Sequence, residues 1–208
     1  MAALPMFPLE SVQLPGETLP LRIFEPRYRE LVTDCLAGDR RFGVVLIAAG
    51  REVGGGERRC DVGALAQIAR HRKLGFGQHA LVATVGERIR VQRWLDDDPY
   101  PRAQVTPWPD EPGEPVGDSD IRKIEDRLLA LYQRTTTRRR VALPARDTLF
   151  GPAGAPAGER LYTLAARIPI GPADRYAVLA APSAADRLTA VNDAVDTFAA
   201  RVAFQLSQ

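Results

Sequence analysis

Between Pro107 and Gly117 the chain reads PWPDEPGEPVG, with four prolines and two glycines in eleven residues. Proline has no backbone N–H and a fixed φ, so this stretch cannot be a helix or a central strand. It separates two halves with different periodicities. Before it the chain reads as short strands with one helix among them; after it, apolar residues recur every third or fourth. Strands first and helices afterwards imply an α+β fold, with a β subdomain over 1–112 and a helical subdomain over 113–208.

In the first half, Leu4–Leu9 and Leu19–Phe24 read as strands separated by the turn formers Pro15-Gly16. Leu19, Leu21 and Ile23 fall on one face of the second, and Pro20, Arg22 and Phe24 on the other. Pro26 suits the first turn of a helix carrying Tyr28, Leu31, Val32, Cys35 and Leu36, with Gly38 at its C-terminal end. Phe42–Ala48 is continuously apolar, as a strand buried on both faces should be. Val62–Ala69 gives a further strand. His79–Val85 and Ile89–Trp94 predict a hairpin turning at Gly86, in which Arg88 and Arg90 face solvent. Tyr100–Thr106 completes the set.

In the second half, Ile121, Ile124, Leu128, Leu131 and Tyr132 form one helical stripe behind Asp118 or Ser119 as cap. Gly151–Gly158 predicts a loop, and Leu161–Ile168 and Ala173–Ala181 two short helices. Ser183 with Asp186 predicts a capping box opening a last helix, with Leu188, Val191, Val195, Phe198, Val202 and Leu206 on one side.

Composition narrows the function classes. A net charge of +2 gives no global pull toward nucleic acid or anionic membrane, and no apolar run reaches the roughly 20 residues that span a bilayer. Lys73 and Lys123 are the only lysines among 28 basic residues, a bias read as that of a GC-rich genome and not as a phosphate-binding surface. Pro5 and Pro8 break the first apolar stretch and no basic leader precedes it, so a cytoplasmic location is expected. Cys35 and Cys60 are isolated and His71 and His79 lie far from a second ligand pair, so no metal site and no cofactor is expected.

Neither Gly54-Gly55-Gly56 nor Gly75-Phe76-Gly77 both follows a strand and opens a helix, as a phosphate loop must, so both are read as flexible turns. Asp96-Asp97-Asp98 is read as a solvated turn, because Ca²⁺ loops space their ligands. Arg134 and Arg138-Arg139-Arg140 are read as a charge run favoured by a helix C-terminus. Trp94, Tyr100 and Trp108 flank one end of the β half, where large aromatics either pack or anchor a partner.

The order of these pieces resembles the Lon N-terminal domain family. The resemblance is carried by Phe7-Pro8-Leu9, by Leu14 through Tyr28 (LPGETLPLRIFEPRY), by Phe42–Ile47, Val62–Ile68 and Val85–Val91, and by Ile168-Pro169-Ile170 ahead of the last helices. It implies a small PUA-like β-barrel with an appended helical bundle, serving as a substrate-binding module. Its partners would be unfolded or tagged protein segments, and a full-length Lon or another protease. No G-x-x-x-x-G-K-[ST] loop is present, and neither lysine sits where a Ser–Lys dyad could use it, so no enzyme activity is expected. The alternative is an RNA-binding PUA-like protein, against which the balanced charge argues. The residues expected to contact a peptide are Pro20, Arg22, Phe24, Trp94 and Tyr100.

Overall fold

The computed structural model describes residues 3–50, 56–136, 143–151 and 154–207. The chain divides into two units, Met1–Pro109 and Asp110–Gln208; the first holds all the strands and one long helix, the second only helices.

The first unit comprises β1 (Ala3–Leu9), β2 (Thr18–Ile23), α1 (Pro26–Ala37), β3 (Arg41–Ala49), β4 (Arg58–Lys73), β5 (His79–Trp94) and β6 (Arg102–Pro107). The sheet order is β2-β5-β4-β3-β1-β6, and β6 also pairs with β5. That second pairing closes β1, β3, β4, β5 and β6 into a barrel. β1 and β3 run parallel and the other pairs antiparallel. β2 lies outside the ring, on the first half of β5.

Side chains alternate between the two faces of β1. Met6 joins Val45, Ile89, Val91 and Ala103 in one cluster. Its neighbour Phe7 joins Phe42, Val44 and the buried face of α1 in another. Gly43 is required by the first cluster: a Cβ there would run into Sδ and Cε of Met6. In the second, Tyr28, Leu31, Val32 and Cys35 are buried along α1, and the Tyr28 ring stands 4.2 Å from that of Phe7. Burial pushes the Cys35 thiol up to about 12.

The predicted turn at Gly86 is absent; β5 runs unbroken from His79 to Trp94. On β4, Ala64 pairs with Arg88 and Ala66 with Val85, so Gly86 and Glu87 together oppose Leu65. Glycine here marks a bulge and not a reversal. The bulge turns β5 away from β2 and toward β6. The true hairpin joins β4 to β5 through Leu74–Gln78, closed by Leu74 N–H donating to Gln78 O at 2.7 Å.

The second unit holds α2 (Asp118–Thr136), α3 (Arg146–Phe150), α4 (Ala157–Arg167), α5 (Pro172–Ala180) and α6 (Ala184–Leu206). Ile121, Ile124, Leu128 and Leu131 are buried along α2, and α6 packs on α2, α4 and α5. The capping box forms: Ser183 Oγ accepts from Asp186 N–H at 3.1 Å, and Asp186 Oδ2 accepts from Ser183 N–H at 3.2 Å. Two features depart from expectation. The short helix α3 was not predicted, and α4 starts at Ala157, inside the predicted loop. Arg187, on the inner face of α6, has no exposed surface. Its guanidinium lies 3.9 Å from the centre of the Tyr162 ring and donates to Asp110 at 2.5 and 2.9 Å. Arg138-Arg139-Arg140 and Gly54-Gly55 lie outside the described residues. No helix among the described residues is long and apolar enough to cross a membrane.

Candidate functional site

Among the described residues β2 pairs with β5 alone, so its other edge presents backbone groups without a sheet partner. Leu19 and Ile23 point into the core while Thr18, Pro20 and Arg22 are exposed, as period-two alternation requires. Pro20 sits opposite Val82. A proline fits an edge strand where its missing N–H faces the unpaired side.

Phe24 follows the end of β2 and is 52% exposed, and Phe76, at the tip of the β4–β5 hairpin, is 98% exposed. The two tips are linked. Arg22 donates through Nε and Nη2 to Gln78 Oε1 at 3.2 and 3.1 Å. On the α1 side, Arg29 lies against the loop so closely that a Cβ on Gly77 would meet its Nη1 at 2.8 Å. Phe76 itself adopts φ 59° and ψ 32°, a left-handed conformation that costs a bulky residue energy. Neither core packing nor backbone preference calls for phenylalanine there.

Beside this loop a groove of about 420 Å³ runs between the C-terminal half of α1 and the hairpin, lined by Leu36, Ala37, Leu74, Lys73, Gln78 and His79 among others. Near its floor His71 and His79 stack with ring centres 5.0 Å apart. His71 Nε2 and His79 Nδ1 are 2.8 Å apart, so one ring donates to the other. Burial, then the charges of Lys73 and Arg40, hold His71 below the usual imidazole range. Burial, then His71, Lys73 and Arg29, do the same for His79.

Pro20, Arg22 and Phe24 are thus brought together on one exposed corner, but Trp94 and Tyr100 are not part of it. Tyr100 is only 6% exposed, and its hydroxyl donates to Asp34 Oδ2 at 2.6 Å. Burial first, then that carboxylate, raise its pKa well above the ordinary phenol value. It pins α1 to the barrel and has no face to offer a peptide. Trp94 lies at the far end of β5, beyond the bulge, with Arg59 stacked at 4.9 Å from its ring centre and its Nε1–H directed at Asp61 Oδ1, 3.4 Å away. Arg59 also binds Glu57 and Asp97, so the middle carboxylate of the expected solvated turn is in an ion pair. Trp108 is buried against Arg88 and Arg90, whose guanidinium carbons stand 4.3 and 3.7 Å from its ring centre. Arg88, expected to face solvent, is buried by that stacking.

Phe76, Gln78 and the groove residues were missed in the sequence. A phenylalanine between two glycines after a basic run was the available signal, since turns rarely hold a large aromatic without a use for it. Among the described residues no group of three or more His, Cys, Asp or Glu could hold a metal.

A model of the ATP-dependent protease La (LON) substrate-binding domain matches residues 3–197. A crystal structure of a Lon N-terminal domain protein from Xanthomonas campestris superposes with a TM-score of 0.63 at 27% identity, over 91% of this chain and 96% of that one. The N-terminal domain of Mycobacterium avium complex Lon protease shares the fold, with a TM-score of 0.65 at 16% identity over 94% of this chain and 98% of that one. Lon protease 2 of Myxococcus xanthus is 33% identical over 104 residues, which are 49% of this chain and 13% of that protein. Lon protease of Anaeromyxobacter dehalogenans is 30% identical over 106 residues, again 13% of its length. The chain therefore spans a small fraction of the curated relatives it matches.

Proposed function

Because the chain belongs to the family of ATP-dependent protease La (LON) substrate-binding domains, we propose that it is a recognition module that takes up an extended, exposed segment of another protein and carries out no covalent chemistry of its own. The segment lies along the unpaired edge of β2, where backbone groups supply affinity with little dependence on sequence. Phe24 and Phe76 supply the apolar anchors at one end. The observation that carries this reading is their joint exposure at the corner where the free edge meets the hairpin loop. A monomer seldom leaves two large aromatics open without a partner for them.

The kind of occupant follows from the family and the edge together: an unfolded or tagged protein, delivered to a separate protease or held for one. A reduced and alkylated, permanently unfolded protein is a suitable probe. It should bind the wild type, and the double variant Phe24→Ala/Phe76→Gly should lose most of that binding while keeping its melting temperature. Unchanged binding by the folded double variant would move the site elsewhere.

A further inference from the structure

The charge around this corner is one-sided. Between Asp61 and Glu87 the sequence holds no aspartate or glutamate, and none falls within Thr18–Phe24. Arg22, Arg70, Arg72 and Lys73 are all exposed on β2 and the hairpin. Among the described residues, none of the four is in an ion pair: Arg22 spends its donors on the neutral amide of Gln78. The carboxylates of the adjoining segments are mostly engaged elsewhere. Glu25 holds Arg27, Asp34 accepts from Tyr100, and Asp39 holds Arg41. Only Glu30, exposed on α1, stands without such a partner. Lys73, Arg40 and Arg29 are the fixed charges acting on the two histidines beside the groove, and all three are cations.

An edge with two phenylalanine anchors and Arg22, beside a β4 that carries Arg70, Arg72 and Lys73 across β5, discriminates among the segments it could accept. Resting on the reading of β2 as a client edge, we infer that the preferred occupant is an apolar protein segment flanked by Asp or Glu, with carboxylates opposite Arg22 and at the Lys73 end of the groove. Cationic segments are turned away by like charge, which sets specificity more strongly than it adds affinity. A phosphate backbone would meet the same cations, but the unpaired edge of β2 offers alternating backbone donors and acceptors that a peptide matches and an acceptor-only phosphodiester does not.

The test uses the intact protein and three dye-labelled peptides with one apolar core, flanked by pairs of Glu, Gln or Lys, read by fluorescence anisotropy. The Glu peptide should bind about tenfold tighter than the Gln peptide, and the Lys peptide weaker still. The spread should shrink as salt rises toward 0.5 M, because exposed charges are screened over a Debye length of only a few ångströms there. Arg22→Glu/Lys73→Glu, both at exposed positions, should reverse the order with the melting temperature held. Equal binding of all three peptides to the wild type would overturn the charge preference and leave the edge reading standing. Binding of none would overturn both. Displacement of the Glu peptide by an equal or lower concentration of single-stranded oligonucleotide, with a steep salt slope, would overturn the inference in favour of a nucleic-acid surface.

Discussion

His71 and His79 face each other across β4 and β5 with Nε2 and Nδ1 2.8 Å apart, a contact that needs at least one neutral ring to accept. Both pKa values are held below the ordinary value of 6.5 by burial and by cations. The unfolded chain therefore binds more protons than the folded one as pH falls through that range, and stability contributed above about 6.5 is lost through the lower folded-state values. The melting temperature should fall between pH 7.5 and 5 by more in the wild type than in His79→Gln. Parallel curves for the two proteins would show that the pair is not what titrates.

Phe76 separates the cost of holding a shape from the use of a surface. Phe76→Gly removes a left-handed bulky residue, and should leave stability unchanged or raise it by about 1 kcal/mol. The same change should weaken binding of an unfolded client by about 1–3 kcal/mol if the ring is an anchor. Phe24→Ala should behave similarly, because a half-exposed ring forfeits much less than the roughly 3–5 kcal/mol of a core phenylalanine. Urea denaturation and client titration on the same samples decide it. Lost stability with undiminished affinity would make these rings structural.

Tyr100→Phe removes one hydrogen bond to Asp34, a carboxylate that water can reach. A loss of about 1 kcal/mol is expected, with no change in client affinity. A change in affinity at constant stability would return Tyr100 to the binding surface.

In the second unit, Arg187 and Asp110 form an unequal pair: the arginine side chain is wholly buried, whereas 36% of the aspartate side chain is exposed. Asp110→Asn strands a buried cation and should cost about 3–5 kcal/mol. Arg187→Met should cost less, because the carboxylate left behind can be hydrated. The order of the two denaturation midpoints is the readout, and a reversed order would mean that Tyr162 and Gly158 O hold the guanidinium without help.

The elements whose periodicity is carried by apolar residues were legible in the chain. α1, α2 and α6 bury most of the stripes that their spacing predicts, leaving Leu36, Tyr132, Leu188 and Leu206 half-buried, and β3 is as apolar as a strand covered on both faces must be. What was hidden depends on pairing. Gly86 looks like a turn until β4 is seen to continue beside it, and only the register shows two residues opposing one. The burial of Arg187 cannot be read from its neighbours, because the charge that balances it lies far earlier in the chain, at Asp110. At the candidate site, Pro20, Arg22 and Phe24 were visible as the face of the strand opposite Leu19, Leu21 and Ile23. Phe76 was not, since its partner in the corner is reached only through the hairpin.

Pro20 has a consequence for how the molecule behaves among its own copies. An exposed edge of six residues invites every like edge in solution to zip onto it, and at high concentration such zipping ends in aggregates. A proline midway along it leaves one rung missing from any ladder built there. A lone guest anchored by side chains at one end tolerates the gap, whereas two copies of β2 in antiparallel register, with Pro20 facing or flanking its twin, would each bring one. The edge can thus stay open for a passing chain and still resist self-assembly.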